Sequence, residues 1–142
     1  MKREYEVGFL LSRVTWAMNN SVNRMLKENG LPDISVAYFA VLNALWENDG
    51  MNITDLGEKA QLEKSTMTSL LDRMEAAALV RREDHPTDRR AYQIFLTPRG
   101  RDLEEKLDQV AARAYKNLTR GIPEEDLEVA GRVFRRLIQN AE

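Results

Sequence analysis

The side chains in this sequence that could do chemistry are hydroxyls and arginines, and the chemistry they suit is the binding of a polyanion. Lys64, Ser65, Thr66, Thr68, Ser69 and Arg73 fall within fifteen residues of one another. From Arg81 to Arg101 six arginines (81, 82, 89, 90, 99 and 101) stand against three acids, Glu83, Asp84 and Asp88. Short hydroxyl side chains on a helix can enter a major groove, bond base edges or phosphates, and lay a threonine methyl on a thymine methyl. Lys64 and Arg73 suit phosphates rather than base edges. Asp88 and Arg90 are two apart, so the carboxylate can aim a guanidinium by a charge-assisted bond. An arginine aimed in this way can enter a narrow, electronegative minor groove without any base code. Catalysis finds no such support. The chain has no cysteine, one histidine (His85), no phosphate-cradling glycine loop and no His-Glu-x-x-His pair. The expectation is no enzyme, no cofactor and no metal site, since a lone histidine cannot build a zinc centre.

These groups need a scaffold, and 142 residues suffice for one real core plus additional helices. Hydrophobic residues make up 43% and charged residues 31%, the proportions of a globular protein. The formal net charge of −2 argues faintly against a nucleic-acid binder. The distribution matters more: acids gather in Asp102–Asp108 and Glu124–Glu128, away from the arginine-rich segment. No apolar run reaches bilayer length and the first residues lack a leader pattern, so the cytoplasm is the expected compartment.

Apolar spacing predicts a long helix from Tyr5 to Glu28, carried by Phe9, Leu10, Val14, Ala17, Met18, Val22, Met25 and Leu26 and stopped by Gly30 and Pro32. Ser35 can cap a second helix through Trp46. Asn52 and Asp55 have capping spacing for a short third helix ending near Gln61, with Met51 and Leu56 spaced as a hydrophobic staple. A fourth helix, Glu63 to Ala77, turns Met67, Leu70, Leu71 and Met74 inward, which leaves Ser65, Ser69 and Asp72 pointing out with Thr66, Thr68 and Arg73 beside them. Asp72 is repulsive toward DNA, and its expected task is to orient Arg73 or a wing arginine. Two strand-like pieces, Leu79–Glu83 and Tyr92–Leu96, flank a polar loop and form a hairpin. Thr97-Pro98 starts a helix expected to run unbroken to Leu118, and Gly121 and Pro123 separate it from a last helix carrying Leu127, Ala130, Val133, Phe134, Leu137 and Ile138. The expected fold is mainly α with a small β-hairpin wing: a winged helix-turn-helix lobe over 34–97, with a helical dimerisation region over 1–30 and 98–142.

The run Asp88-Arg89-Arg90-Ala91-Tyr92-Gln93-Ile94-Phe95-Leu96-Thr97-Pro98-Arg99-Gly100 resembles the wing signature of the MarR (multiple antibiotic resistance regulator) family. Leu70-Leu71-Asp72-Arg73-Met74-Glu75, followed by Leu79-Val80-Arg81-Arg82, resembles that family's recognition-helix end and first wing strand. The likeness covers essentially the whole chain. It implies that Arg90 is the residue inserted into the minor groove and Arg89 a phosphate neighbour. Ala78 departs from the family, which often has glycine there; if the position is left-handed, alanine costs on the order of 1 kcal/mol.

The resemblance implies double-stranded DNA as partner, a homodimer on an inverted-repeat operator, repression, and release by a small aromatic or phenolic ligand. Arg13, Trp16 and Tyr38 are the candidates for holding such a ligand, a cation and two aromatics where the first two helices should meet. The alternative reading puts Trp16 and Tyr38 in the core and Arg13 on the surface. A rival for the whole chain is a winged helix used for protein–protein contact, which predicts an apolar recognition face and a neutral wing.

Overall fold

The computed structural model describes residues 2–88 and 92–142. Its main elements are α1 (Glu6–Glu28), α2 (Phe39–Glu47), β1 (Met51–Asn52), α3 (Ile53–Ala60), α4 (Lys64–Ala76), β2 (Val80–Asp84), β3 (Tyr92–Leu96), α5 (Pro98–Asp102), α6 (Glu104–Leu118) and α7 (Glu124–Ala141). The fold is a mainly helical winged helix-turn-helix with one small antiparallel sheet, as the sequence predicts.

Local chemistry places most boundaries. After α1 the amide of Leu31 donates back to Leu26 O (2.9 Å) and Gly30 takes φ +76°, a left-handed stop. Ser35 caps a single 3-10 turn, Val36–Tyr38, that runs into α2, so the expected second helix begins tighter than an α-helix. Asn52 Oδ1 accepts the Asp55 amide at 2.8 Å while its Nδ2 donates to the Asp55 carboxylate at 2.9 Å. Thr97 caps α5 by accepting the Gly100 amide at 3.1 Å.

Two features differ from expectation. Met51 and Asn52 form a third strand, giving the order β1-β3-β2 with Met51 opposite Ile94 and Val80 opposite Leu96. The helix expected from Pro98 to Leu118 is interrupted at the single residue Leu103, whose backbone stays right-handed (φ −80°, ψ −12°) and whose amide still donates to Arg99 O at 3.2 Å, so α5 and α6 meet there. The break follows from docking: Trp46 Nε1 donates to Gly100 O (3.0 Å), Arg101 pairs with Asp49 (3.0 Å), and Arg99 bonds both the Ala77 carbonyl and Asp33 (2.8 Å). These contacts hold α5 to the neighbours of the sheet, while α6 packs on α1. The Arg99 guanidinium holds the Asp33 carboxyl below the usual carboxylate range. A depressed carboxylate pKa means that the clamp's contribution is present at neutral pH and fades as acid protonates Asp33.

The core joins Leu26, Leu42, Leu45, Leu56, Met67, Leu71, Met74, Leu79 and Ile94, all fully buried. α4 ends through Ala78, which adopts φ +57°. The left-handed position anticipated from the sequence therefore exists and holds a residue with a Cβ. Ala78→Gly is expected to stabilise the fold by about 0.5–1 kcal/mol, the relief of left-handed strain exceeding the entropy that glycine adds to the unfolded chain. Denaturant titration checks this as a rise in midpoint at constant slope.

Candidate nucleic-acid interface

The inward face of α4 is sealed by Met67, Leu70, Leu71 and Met74, none more than 2% exposed. That burial fixes the opposite face, and Lys64, Ser65, Thr66, Thr68, Ser69, Asp72 and Arg73 are all exposed. Thr68 Oγ1 donates to Lys64 O at 3.1 Å, so its hydroxyl proton is spent within the helix while its methyl and an acceptor lone pair remain outward. Ser65, Thr66 and Ser69 make no side-chain hydrogen bond, and Lys64 and Arg73 no ion pair, among the described residues. This helix therefore presents hydroxyls and two cations to solvent.

α3 sits across the turn. Gln61, at φ +55°, closes it, and the Leu62 amide returns to Gly57 O at 2.9 Å. The start of α3, the start of α4 and the wing enclose a hollow of roughly 370 Å³ lined by Asn52, Thr54, Asp55, Lys64, Thr68 and Tyr92, with Asp88 at the wing. Tyr92 was absent from the sequence-based candidates. It alternates with Ile94 and Leu96 on the core-facing side of β3, but it lies beyond the end of the core and stays 42% exposed. Period-2 reading alone makes it one more core residue; only its place at the end of the hairpin brings it to this hollow.

The arginine-rich segment resolves into two groups. Four of its six arginines are engaged within the fold: Arg81 with Glu83 (3.0 Å) and over the Phe95 ring (4.9 Å), Arg82 with Asp72 (2.6 Å), Arg99 with Asp33, and Arg101 with Asp49. The segment is thus no uniform basic patch. The remaining two, Arg89 and Arg90, lie outside the described residues. Asp88 is exposed at the end of the loop that precedes them.

Asp72 finds its partner in Arg82. This is a wing arginine, one of the two alternatives the sequence left open. The Arg82 backbone amide also donates to Glu75 Oε2 at 3.2 Å, so one residue of β2 occupies two acids of α4. The pair neutralises the carboxylate on the exposed face and fixes the wing against the helix. Sequence reading did not single out Arg82 among the wing arginines because its partner lies ten residues back, across a strand–helix contact that no local rule describes.

The ligand candidates are not gathered within the chain. Tyr38 is buried at 6% exposure, as the core reading has it, whereas Trp16 is 70% exposed, against that reading. Arg13 lies over the Phe9 ring, 5.8 Å from its centroid. The 3-10 turn holding Tyr38 meets α1 at Asn23, whose Oδ1 accepts the Val36 amide at 2.8 Å. Asn23 is two helical turns from Trp16, roughly 10 Å along the axis.

Comparison with known proteins places this geometry. The MarR family model matches residues 34–92. The chain is 31% identical over 106 residues to the organic hydroperoxide resistance transcriptional regulator of Bacillus subtilis, covering 75% of this chain and 70% of that protein. It is 25% identical over 140 residues to MhqR of Bacillus subtilis, covering 99% and 94%. It is 38% identical over 76 residues to TtmR of Methylorubrum extorquens, where the match spans 54% of this chain but only 39% of TtmR. Among solved structures, PcaV of Streptomyces coelicolor with its natural ligand superimposes with TM-score 0.85 at 24% identity, covering 100% and 98%. Reduced AbfR bound to DNA superimposes with TM-score 0.76 at 21% identity, covering 98% and 93%. The chain belongs to the MarR family of DNA-binding, winged helix-turn-helix transcriptional regulators.

Proposed function

We propose that this chain is a sequence-specific repressor that binds an inverted-repeat operator in double-stranded DNA as a homodimer, in the cytoplasm. The observation that carries the reading is the exposed face of α4, where unspent hydroxyls and two unpaired cations stand on a rigid, buried helix back. A protein-docking winged helix would need an apolar face there. Residues 34–97 serve as the DNA lobe, and 1–30 with 98–142 as the dimerisation region. α4 reads the major groove through Ser65, Thr66, Thr68 and Ser69, with Lys64 and Arg73 on phosphates. Arg90, aimed by Asp88, enters the minor groove, and Arg89 takes a phosphate. AbfR, which shares the fold, has been solved bound to DNA, and this supports the DNA-binding part of the reading.

A small aromatic acid that releases the DNA is the second part of the reading. Phe9, Trp16 and Arg13 form an exposed aromatic and cationic face of α1, on the side away from Val22 and Leu26. Tyr38, buried, would not touch such a ligand directly.

Selection of bound fragments from a random DNA pool tests the core claim. An inverted repeat with half-sites about one helical turn apart is expected; failure to enrich any sequence would favour the protein-docking alternative. On the selected operator, Arg90→Ala is expected to weaken binding about tenfold in a mobility-shift assay, the loss of a minor-groove anchor. Unchanged affinity at moderate salt would remove Arg90 from the interface.

A further inference from the structure

We propose that Asp49 is a positioning residue for operator spacing: its carboxylate clamps the corner between β3 and α5, and this clamp sets the angle at which the helical arm carries each DNA lobe. The half-site separation that the dimer accepts follows from that angle. The inference rests on the homodimeric DNA-binding reading above and adds to it a residue outside the set that touches DNA.

Asp49 lies in the turn between α2 and β1. Its Oδ1 accepts the Leu96 amide at 2.8 Å and the Gly50 amide at 3.1 Å, and its Oδ2 accepts from Arg101 Nη2 at 3.0 Å. β1 is short: it pairs with β3 through Met51–Ile94 and Asn52–Gln93, and the Gly50 amide extends the ladder to Ile94 O at 3.0 Å. The next amide that β3 turns to this side is Leu96, and it meets the carboxylate in place of a strand carbonyl. One side chain thus holds both the last residue of the sheet and a residue of α5 five positions later. Arg101 is the third of three successive anchors. Arg99 bonds the Ala77 carbonyl and Asp33, and Gly100 O accepts Trp46 Nε1. Each ties α5 to a different part of the DNA lobe.

The arm joins the lobe at two places. The first is the end of α1, where Val22, Met25 and Leu26 enter the core. The second is α5, which runs through Leu103 into α6, and α6 packs on α1. One attachment leaves a lobe free to swing about α1; the second removes that freedom. The α1 attachment is apolar and sealed. The α5 attachment is mainly polar, with Leu103 its one buried side chain, and Asp49 and Arg101 stay 29% and 64% exposed. An ion pair this open adds little to stability, but it can still select one lobe angle among several of similar energy. Each inserted base pair moves a half-site by about 3.4 Å and roughly 34° around the duplex axis, so a change of angle is read directly as a change of preferred spacing.

Two variants open the clamp and keep the turn. Asp49→Asn retains an oxygen for the Leu96 and Gly50 amides but cannot accept from Arg101, and Arg101→Ala leaves Asp49 untouched. They change the net charge in opposite directions, so an effect common to both is not long-range electrostatics. On the operator chosen by selection, both are expected to bind roughly threefold to fivefold more weakly than wild type. Inserting one base pair between the half-sites is expected to cost wild type roughly tenfold and each variant no more than roughly threefold. Affinity for a single half-site should be the same in all three. Spacing profiles that coincide overturn the proposal. So does an equal loss on half-site and full operator, which would mean that Asp49 serves the lobe itself. A DNA-free arm uses the lack of native cysteine: Glu58→Cys, exposed on α3, gives one spin label per copy. Double electron–electron resonance is expected to give a narrow inter-copy distance in the wild-type background and a broader one in both variants. Identical distributions overturn the proposal, and absence of any inter-copy distance overturns the homodimer beneath it. Failure to select an operator with the distance result intact would instead strike the DNA-binding reading alone.

Discussion

Replacing Gly100 by alanine is expected to lower the melting temperature by about 10 °C or more, the largest effect expected of any glycine-to-alanine change in this chain. A Cβ built at Gly100 lies 2.1 Å from Leu79 O, 3.1 Å from the Leu79 carbonyl carbon and 3.2 Å from Leu96 Cδ2. The obstacle is backbone, and it is fixed from both sides. Leu79 O accepts the Thr97 amide at 3.0 Å, the Thr97 hydroxyl donates to Ala78 O, and Gly100 O accepts Trp46 Nε1 at 3.0 Å. To make room, α5 must lift off the sheet, breaking those bonds and loosening the ion pairs of Arg99 and Arg101. Overpacking against side chains costs about 1–3 kcal/mol, and rigid backbone sets the cost at the upper end or beyond. For a chain of this size, about 3 kcal/mol corresponds to roughly 10 °C. Thermal unfolding followed by circular dichroism, at matched protein concentration, checks it. Gly8→Ala is the control: its added methyl meets nothing within 4 Å and sits on a helix, where alanine is favoured. If both variants melt within about 2 °C of wild type, α5 is not seated as described.

The same junction shows how far local sequence rules reach. Thr97-Pro98 is a cap that a local rule identifies, and the structure has it. The break at Leu103 is not visible, because Leu103, Leu107, Val110 and Ala114 continue one apolar stripe without a glycine or proline between them. What interrupts the helix is long-range: Trp46, Asp49 and Asp33 hold α5 in place, and each is fifty or more residues away. The arginine-rich segment went the same way. Its charge was countable from the sequence, but the acids that occupy Arg82, Arg99 and Arg101 lie on other elements. Composition therefore overstated the free positive charge. The recognition face was legible because burial of Met67, Leu70, Leu71 and Met74 follows from helical period alone, and once four positions are inside, the outward ones are determined. The third strand escaped because two residues carry no period. The core alternative for Trp16 fails for a related reason: it takes hydrophobicity for burial, yet the ring stands away from Leu11, Met18 and Val22 on α1.

That exposed ring belongs to a wider pattern with a large functional consequence. Introducing charge into α7, as Val133→Glu with Leu137→Glu, is expected to convert the protein to a monomer and reduce operator affinity by about a hundredfold or more. α7 is 18 residues long and none of them is buried, although Val129, Val133, Phe134, Leu137 and Ile138 recur at helical spacing along it. On α1 a similar row, Leu10, Val14 and Met18, stays exposed beyond the stretch where Val22, Met25 and Leu26 enter the core. A 23-residue helix spans roughly 35 Å, more than a lobe of this size can cover. In the proposed homodimer a second copy covers these stripes with the same stripes in reverse and sets two α4 helices on one side of the duplex. Both substituted positions are open to solvent in the single chain, at 45% and 41% exposure, so the charges threaten the association and not the protomer's own core. Helical content should therefore persist while sedimentation shifts to the monomer. A half-site should still be bound, weakly, since each lobe keeps its own contacts and loses only the effective concentration supplied by its twin. A variant that remains dimeric with full operator affinity would remove α7 from the interface and leave the α1 stripe as the element to test.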